Sequence, residues 1–424
     1  MGWNSWDCYG TTVTEAEVLA NAEFMAEHLL PHGWDTIVID ADWADPAPRS
    51  HGYNDEARLL IDEFGRLQPD PERFPSAADG RGFAGLAERI HALGLKLGVH
   101  VMRGIPRVAV AAATPIADSD ETAADIADPT NRCEWNPHYV GLDHTRPGAQ
   151  AYYDSCVAQF AEWGLDFVKA DDLLWPYQAT DIEAYSRAVQ RAGRDIALSL
   201  SPGRDLSAAH LEHLRESATM WRVCDDVWDD WDHIEPNFAR LARWAPFAGE
   251  AGWPDADMLP LGRIGIRAER GEPRHDRLTP AERRSLLTLW IMARSPLMIG
   301  GDLPSSEPAT IALYTNDDVL RILKESTGNR ELMRERDLVV WAAESGDTRW
   351  VAVFDLSGQA RDEPFDTRSL GVGPAPAGLV DVWSGEDVAV EAVHVQSNAA
   401  RSVAPGSSVV RVHLEPHGCV LLRA

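Results

Sequence analysis

Leu165-Asp-Phe-Val-Lys-Ala-Asp-Asp172 is a short apolar stretch that ends abruptly in charge. Gly164 closes a helical pattern, Phe167 and Val168 begin a strand, and the strand runs straight into Lys169, Asp171 and Asp172. Isolated charges are expensive to bury, so a buried strand with this ending needs a reason. Lys169 and Asp171 are two residues apart and project from the same face. An ammonium beside Asp171 would keep that carboxylate ionised and depress its pKa, which suits a nucleophile and not a proton donor. Taken alone, the stretch reads equally well as a structural ion pair at a strand end.

Outward from this stretch, short apolar runs alternate with helical patterns up to about Leu332. Runs at 1–6, 36–40, 95–101, 167–171, 196–201, 220–224, 252–258 and 296–300 predict strands. The clearest of them are continuous rather than alternating, as in parallel sheets. Helical periodicity fills the intervals at 15–30, 83–93, 149–163, 181–191, 206–216, 234–244 and 280–293. About eight strand–helix alternations predict a (β/α)8 TIM barrel with loop insertions. The rival, a doubly wound open sheet, finds no GxGxxG or GxxxxGK[ST] loop. The segment 103–146 has little periodicity, is too long for a passive connection, and is expected to fold over a site. After Leu332 the pattern changes to short strands at 338–341, 350–354, 379–383, 409–414 and 419–422, separated by Gly and Ser turns. They predict a C-terminal antiparallel β-sandwich, with 373–378 as a loop. The expected domains are a catalytic barrel over 1–332 and the β-sandwich over 333–424.

Composition narrows the partners. With 424 residues the chain is long enough for a barrel and a smaller domain. A net charge of −28 argues against nucleic acid or an anionic membrane as partner. No run is long enough to span a bilayer, and the first residues have no basic region or apolar signal core. Five scattered cysteines form no CxxC pair, so neither a zinc site nor a disulfide framework is expected, and a reducing cytoplasm fits. Sixteen tryptophans outnumber eight tyrosines, and several lie near acids, as in sites that stack a sugar ring and bond its hydroxyls.

The polar residues fall at regular places. Asp40, His100, Lys169 with Asp171, Ser201, Arg222 with Asp225 and Asp226, Asp255 with Asp257, and Asp302 lie at or just past expected strand C-terminal ends. In a (β/α)8 barrel those ends converge on one mouth, where active sites sit. A ring of acids there shifts the reading of Asp171 from structural to functional. No GxSxG elbow, HxH or HExxH is present. With no such histidine pair a metal is not expected, and paired carboxylates with basic groups and tryptophans suggest glycoside hydrolysis.

A resemblance supports this. Met1-Gly-Trp-Asn-Ser-Trp6, Ile37-Val-Ile-Asp40 with Trp43, Gly65-Arg-Leu67 with Pro71-Glu-Arg-Phe-Pro75, Gly94-Leu-Lys-Leu-Gly98, Lys169-Ala-Asp171, Trp221-Arg222 with Asp226, and Gly252-Trp253 with Asp255-Ala-Asp-Met-Leu259 resemble glycoside hydrolase family 27. This is the α-galactosidase and α-N-acetylgalactosaminidase family, and the motifs run in order over nearly the whole chain. The resemblance implies retaining hydrolysis of terminal α-D-galactosyl or galactose-like residues through a covalent glycosyl-aspartate, with a small-molecule or oligosaccharide substrate and without a cofactor. By position, Asp171 matches the nucleophile and Asp226, four residues after Arg222, the acid/base. Lys169 and Arg222 match residues that hold sugar hydroxyls, Trp6 and Asp40 match pocket walls, and His100, Ser201 and Asp255 fall at substrate-binding positions. Asp225 is separated from Asp226 only by the Arg222 spacing. Asp225, Asp229 and Asp230 are expected to crowd Asp226 and favour its protonated form.

The departures bear on the sugar. Asp40-Ala41 replaces the family's Asp-Asp pair, so one hydroxyl ligand is missing unless Asp42 substitutes. His100 stands where a tyrosine is usual, and Ser201 where α-galactosidases carry an acid. The family's disulfide between the third and fourth loops lacks its second cysteine, Cys133 facing Leu173. α-N-acetylgalactosaminides and β-L-arabinopyranosides are therefore alternative substrates. A catalytically silent sugar-binding barrel and a metal-dependent hydrolase are alternatives of other classes. A homo-oligomer is compatible with the sequence.

Overall fold

The computed structural model describes residues 1–373, 378–392 and 408–424. The chain forms two compact units, one of 1–227, 249–276 and 297–310, the other of 228–248, 277–296 and 311–424.

The first unit is the barrel. Its strands are β1 (Gly2–Asn4), β2 (Thr36–Ile39), β3 (Lys96–Met102), β4 (Phe167–Asp171), β5 (Ala197–Leu200), β6 (Met220–Arg222), β7 (Trp253–Asp255) and β8 (Met298–Ile299). All pair in parallel, in the sequential order β7-β6-β5-β4-β3-β2-β1-β8. The Leu259 N–H donates to the Met298 carbonyl at 2.8 Å and the Gly300 N–H to the Leu259 carbonyl at 2.9 Å, so the two ends of the sheet meet. The fold is a (β/α)8 barrel followed by an antiparallel β domain.

The period of two along each strand sorts the barrel interior into layers. Val38, Phe167, Met220, Met258 and Met298 make an apolar floor, with Trp6, Ala197 and Trp253 packed against it. Two residues further along the strands the same face turns polar, as Lys169, Ser199, Arg222 and Asp255. Charged side chains therefore begin where the strands approach the mouth.

The 103–146 segment carries structure of its own. Its short strands Ile105–Pro106, Ala127–Asp128 and Tyr139–Leu142 form a three-stranded sheet. The Ile105 strand and the Tyr139 strand pair antiparallel.

The second unit holds the helices Trp231–Trp244, Pro280–Met292 and Asp317–Glu325 and two antiparallel sheets. One sheet has six strands, β9 (Thr327–Glu335), β10 (Leu338–Ser345), β11 (Thr348–Asp355), β13 (Leu379–Asp381), β14 (Asp387–Val388) and β17 (Cys419–Arg423). The other has three, β12 (Arg361–Asp366), β15 (Val390–Ala392) and β16 (Ser408–Leu414). Val340, Val351, Val353 and Leu422 of the first sheet pack with Phe365 and Val410 of the second in one apolar cluster. The expected loop at 373–378 lies largely outside the described residues. Leu332 falls inside β9, and the division at 332 into barrel and β-sandwich remains a proposal.

One glycine fixes the approach of two barrel segments. A Cβ on Gly203, in the loop after β5, would lie 1.6 Å from the Arg222 carbonyl oxygen. Gly203→Ala should therefore force backbone apart and cost about 3 kcal/mol. A urea denaturation midpoint within experimental error of the parent would contradict this close approach.

Candidate active site

Four buried ion pairs line the C-terminal mouth of the barrel. Lys169 Nζ is 2.8 Å from Asp40 Oδ2, which also accepts a hydrogen bond from Asn4 Nδ2 at 2.7 Å. Burial would raise the Asp40 pKa, but the Lys169 charge, ahead of His100, brings it down to about 2. The same pair acts on Lys169, where burial is outweighed by Asp40 and the ammonium rises to about 12.

Asp171 is held by two donors. The Asp172 N–H donates to its Oδ1 at 2.8 Å, and His100 Nε2 lies 3.0 Å from its Oδ2. Burial works against ionisation, yet the His100 hydrogen bond and charge, followed by Lys169 and Arg222, keep the carboxyl below the usual range. The ammonium expected beside Asp171 acts on it through its charge. The hydrogen bond comes from His100, which the sequence did not place there: β3 brings His100 level with Lys169, its ring reaching Asp171.

Arg222 is a clamp. Its Nη2 is 2.6 Å from Asp226 Oδ1, and its Nη1 is 2.6 Å from Asp257 Oδ1. Asp257 Oδ2 accepts the Val227 N–H at 2.8 Å. Arg103 closes the fourth pair through Nε and Nη2 on Asp172 Oδ2, at 3.1 and 2.5 Å.

The acids that follow one another around Asp226 in sequence each have partners of their own. Asp225 is 54% exposed, accepts the Asp226 N–H at 3.0 Å and lies 3.8 Å from Arg204. Asp229 accepts from the Arg277 backbone, and Asp230 caps the helix that starts at Trp231. Asp226 itself is 36% exposed, with Arg222 as its partner.

The other predicted residues line the same mouth. Lys169, Ser201, Arg222, Asp255 and Asn4 border one cavity. The Ser201 hydroxyl is buried and makes no hydrogen bond to the protein. Trp6 stands on the apolar floor with its ring 5.8 Å from Tyr53. Asp42, the candidate for the place left by Ala41, has its Oδ1 3.6 Å from His138 Nδ1 and a left-handed backbone conformation with φ 61°.

Three residues outside the predicted set belong to the mouth. Asp257 shares Arg222 with Asp226. Asn4 bridges, accepting from the Trp6 N–H at 2.8 Å and donating to Asp40. Tyr53 packs on Trp6, and after burial the charges of Asp42, Asp171 and Asp40 push its phenol up. Among the described residues no group of three or more His, Cys, Asp or Glu side chains converges as metal ligands would. No described helix is long and apolar enough to cross a membrane.

The comparisons with known proteins agree with this geometry. A family model described as "Alpha galactosidase A" matches residues 139–325. A rice α-galactosidase is 25% identical over 96% of this chain and 82% of its own. A chicken α-N-acetylgalactosaminidase is 28% identical over 91% and 86%. The crystal structure of a family 27 β-L-arabinopyranosidase variant from Geobacillus stearothermophilus, in complex with arabinose, superposes with a TM-score of 0.93. It is 42% identical, covering 100% of this chain and 96% of that one. The chain belongs to glycoside hydrolase family 27. It is a glycoside hydrolase, and its substrate is a carbohydrate.

Within this family 27 mouth, Asp255 carries a testable titration. Burial, then the Asp257 charge, pushes its carboxyl up to about 7. The unfolded group ionises near 4, so between about pH 4 and 7 the folded state holds the extra proton. The stability this gives is full below about pH 4 and lost as pH rises through 7. Asp255→Asn keeps the acceptor for the Asp257 N–H without the ionisation. Relative to the parent it should gain stability from pH 4 to pH 8, by at most about 4 kcal/mol. Equal differences in urea midpoint at the two pH values would refute the raised pKa.

Proposed function

We propose that this chain is a retaining exo-glycosidase for β-L-arabinopyranosides. β-L-Arabinopyranose has the ring stereochemistry of α-D-galactose but lacks C6. The observation that carries the reading is at β2: Asp40 is paired to Lys169 and Asn4, and the neighbouring acid of the family is Ala41, buried and without a polar group. One hydroxyl ligand fewer suits a sugar with one hydroxyl fewer. The likeness to the Geobacillus stearothermophilus enzyme over the whole chain supports the same sugar. α-D-Galactosides are the second reading, favoured by the curated relatives named α-galactosidases at 24–28% identity.

In this proposal Asp171 is the nucleophile. With Oδ1 and Oδ2 each holding a donor, the carboxylate is oriented and stays ionised. It attacks the anomeric carbon while Asp226 passes its proton to the departing glycosidic oxygen. The glycosyl-aspartate ester removes one negative charge from the mouth. Asp226 then takes a proton from water, and the hydroxide equivalent displaces Asp171 with overall retention. Lys169, Arg222 and Ser201 are the donors for sugar hydroxyls, with Asp40 and Asp255 beside them and Trp6 as the apolar wall. Cytoplasmic placement is part of the proposal, supported by five free thiols.

A screen of p-nitrophenyl β-L-arabinopyranoside, α-D-galactopyranoside and N-acetyl-α-D-galactosaminide should give the highest kcat/KM on the first. A clear preference for either of the others would move the assignment to that sugar.

Asp171→Ala should lose on the order of 10³-fold or more in kcat. Asp226→Ala should slow substrates with poor leaving groups far more than a dinitrophenyl glycoside, whose departure needs no proton. If Asp225→Ala shows that pattern instead, the acid/base is one residue earlier. Proton NMR of the first-formed sugar should show the substrate's own anomer; an inverted product would remove Asp171 from its role.

A further inference from the structure

Two large apolar side chains are exposed among the described residues, Trp135 at 39% and Trp175 at 51%. Trp135 lies in the 103–146 segment that follows β3. Its ring centroid is 5.9 Å from that of Tyr53, and the Tyr53 centroid is 5.8 Å from that of Trp6. Trp6 in turn packs on the floor of the barrel. Three rings thus step from the barrel interior to solvent.

The outer ring is on a pinned loop. His138 Nε2 is 2.8 Å from the Asn54 carbonyl, which ties this loop to the residue after Tyr53. The His138 N–H donates to Asn136 Oδ1 at 3.0 Å, and both residues are buried. On the other side of Trp135, Asn131 Oδ1 accepts from Arg103 Nη1 at 3.0 Å, and Arg103 is the residue clamped on Asp172. Held between two such anchors, the half-exposed indole has a fixed place at the solvent end of the three rings.

We propose that Trp135, reached from the pocket through Trp6 and Tyr53, is the platform for the leaving part of the substrate, and that it takes a sugar ring. This rests on the glycosidase reading above. A single flat indole offers a stacking face to the C–H side of a pyranose. It does not offer the broad apolar patch that a lipid or a peptide helix would require, and the net charge of −28 disfavours acidic partners. The carboxylates at the inner end of the path supply acceptors for sugar hydroxyls.

The test uses two substrates with the glycone that the enzyme cleaves best. One is the glycosyl fluoride, which has no leaving ring; the other is a disaccharide. Trp135→Ala should lower kcat/KM about tenfold on the disaccharide and leave the fluoride unchanged. Trp135→Phe should keep most of the disaccharide activity. Retained fluoride hydrolysis shows that a variant is folded, and Trp135→Gln repeats the test if the alanine variant is not. A parent enzyme that cleaves neither substrate refutes the glycosidase reading and not the platform. An unchanged disaccharide rate, an equal loss on both substrates, or a loss of oligomeric state in light scattering on Trp135→Ala overturns the platform.

Discussion

The mouth of the barrel depends on one guanidinium. Arg222 is buried and bridges Asp226 and Asp257 with two bonds of 2.6 Å. Buried ions cost several kcal/mol each in lost hydration, and only well-aligned partners return it. Once the strands bring Arg222 inward, two carboxylates have to meet it, one from the chain after β6 and one from the chain after β7. The other pairs follow the same rule. Lys169 with Asp40 links β4 to the end of β2, and His100 with Asp171 links β3 to β4. Arg103 with Asp172 holds the chain as it leaves those two strands. Charges that would destabilise the fold one by one tie adjacent and next-but-one strands together, and each tie fixes the direction of a side chain at the mouth.

The acids of the mouth outnumber its cations, and two carboxyls are pushed up. Asp255 rises to about 7 through burial and then the Asp257 charge. Asp7, in the short helix after β1, moves the same way. Burial and then the Asp257 charge raise its pKa well above the ordinary value. The fold makes room for it, since a Cβ on Gly300 would lie 1.9 Å from Asp7 Oδ2. The glycine after β8 and the aspartate after β1 are therefore one feature, and neither is interpretable without the other.

Much of the barrel was legible because its rule is local. Continuous apolar runs separated by helical periods fix strand after strand, and the period of two places Lys169, Arg222 and Asp255 on the inner face. The partners were less legible, since they depend on sheet register and loop path. His100 was marked as a site residue, but only the parallel pairing with β4 brings it to Asp171. Asp257 was passed over for Asp255; a positive φ of 75° turns it toward Arg222, and nothing in its sequence context signals that turn. Of the four β-domain strands that the sequence did not show, two were hidden by their composition. The segment Thr327–Glu335 is rich in Arg and Glu and reads as polar helix, and Arg361–Asp366 contains Pro364. Both lie at sheet edges, where a proline or a polar face is tolerated.

The same contrast governs the sugar. Class of chemistry follows from groups that must be present, and those are strongly constrained by the cost of burying them. Choice of sugar follows from groups that are missing. Ala41 leaves no unpaired charge behind, so the fold does not oppose its replacement of an acid. Asp42 lies between two cation-forming groups, His138 at its carboxylate and Arg73 at its carbonyl, and a move into the gap would disturb both. Its backbone would also have to leave the left-handed region that sets its direction. Position 41 thus stands without the acid usual in the family, and the fold around it holds no charge that would require one.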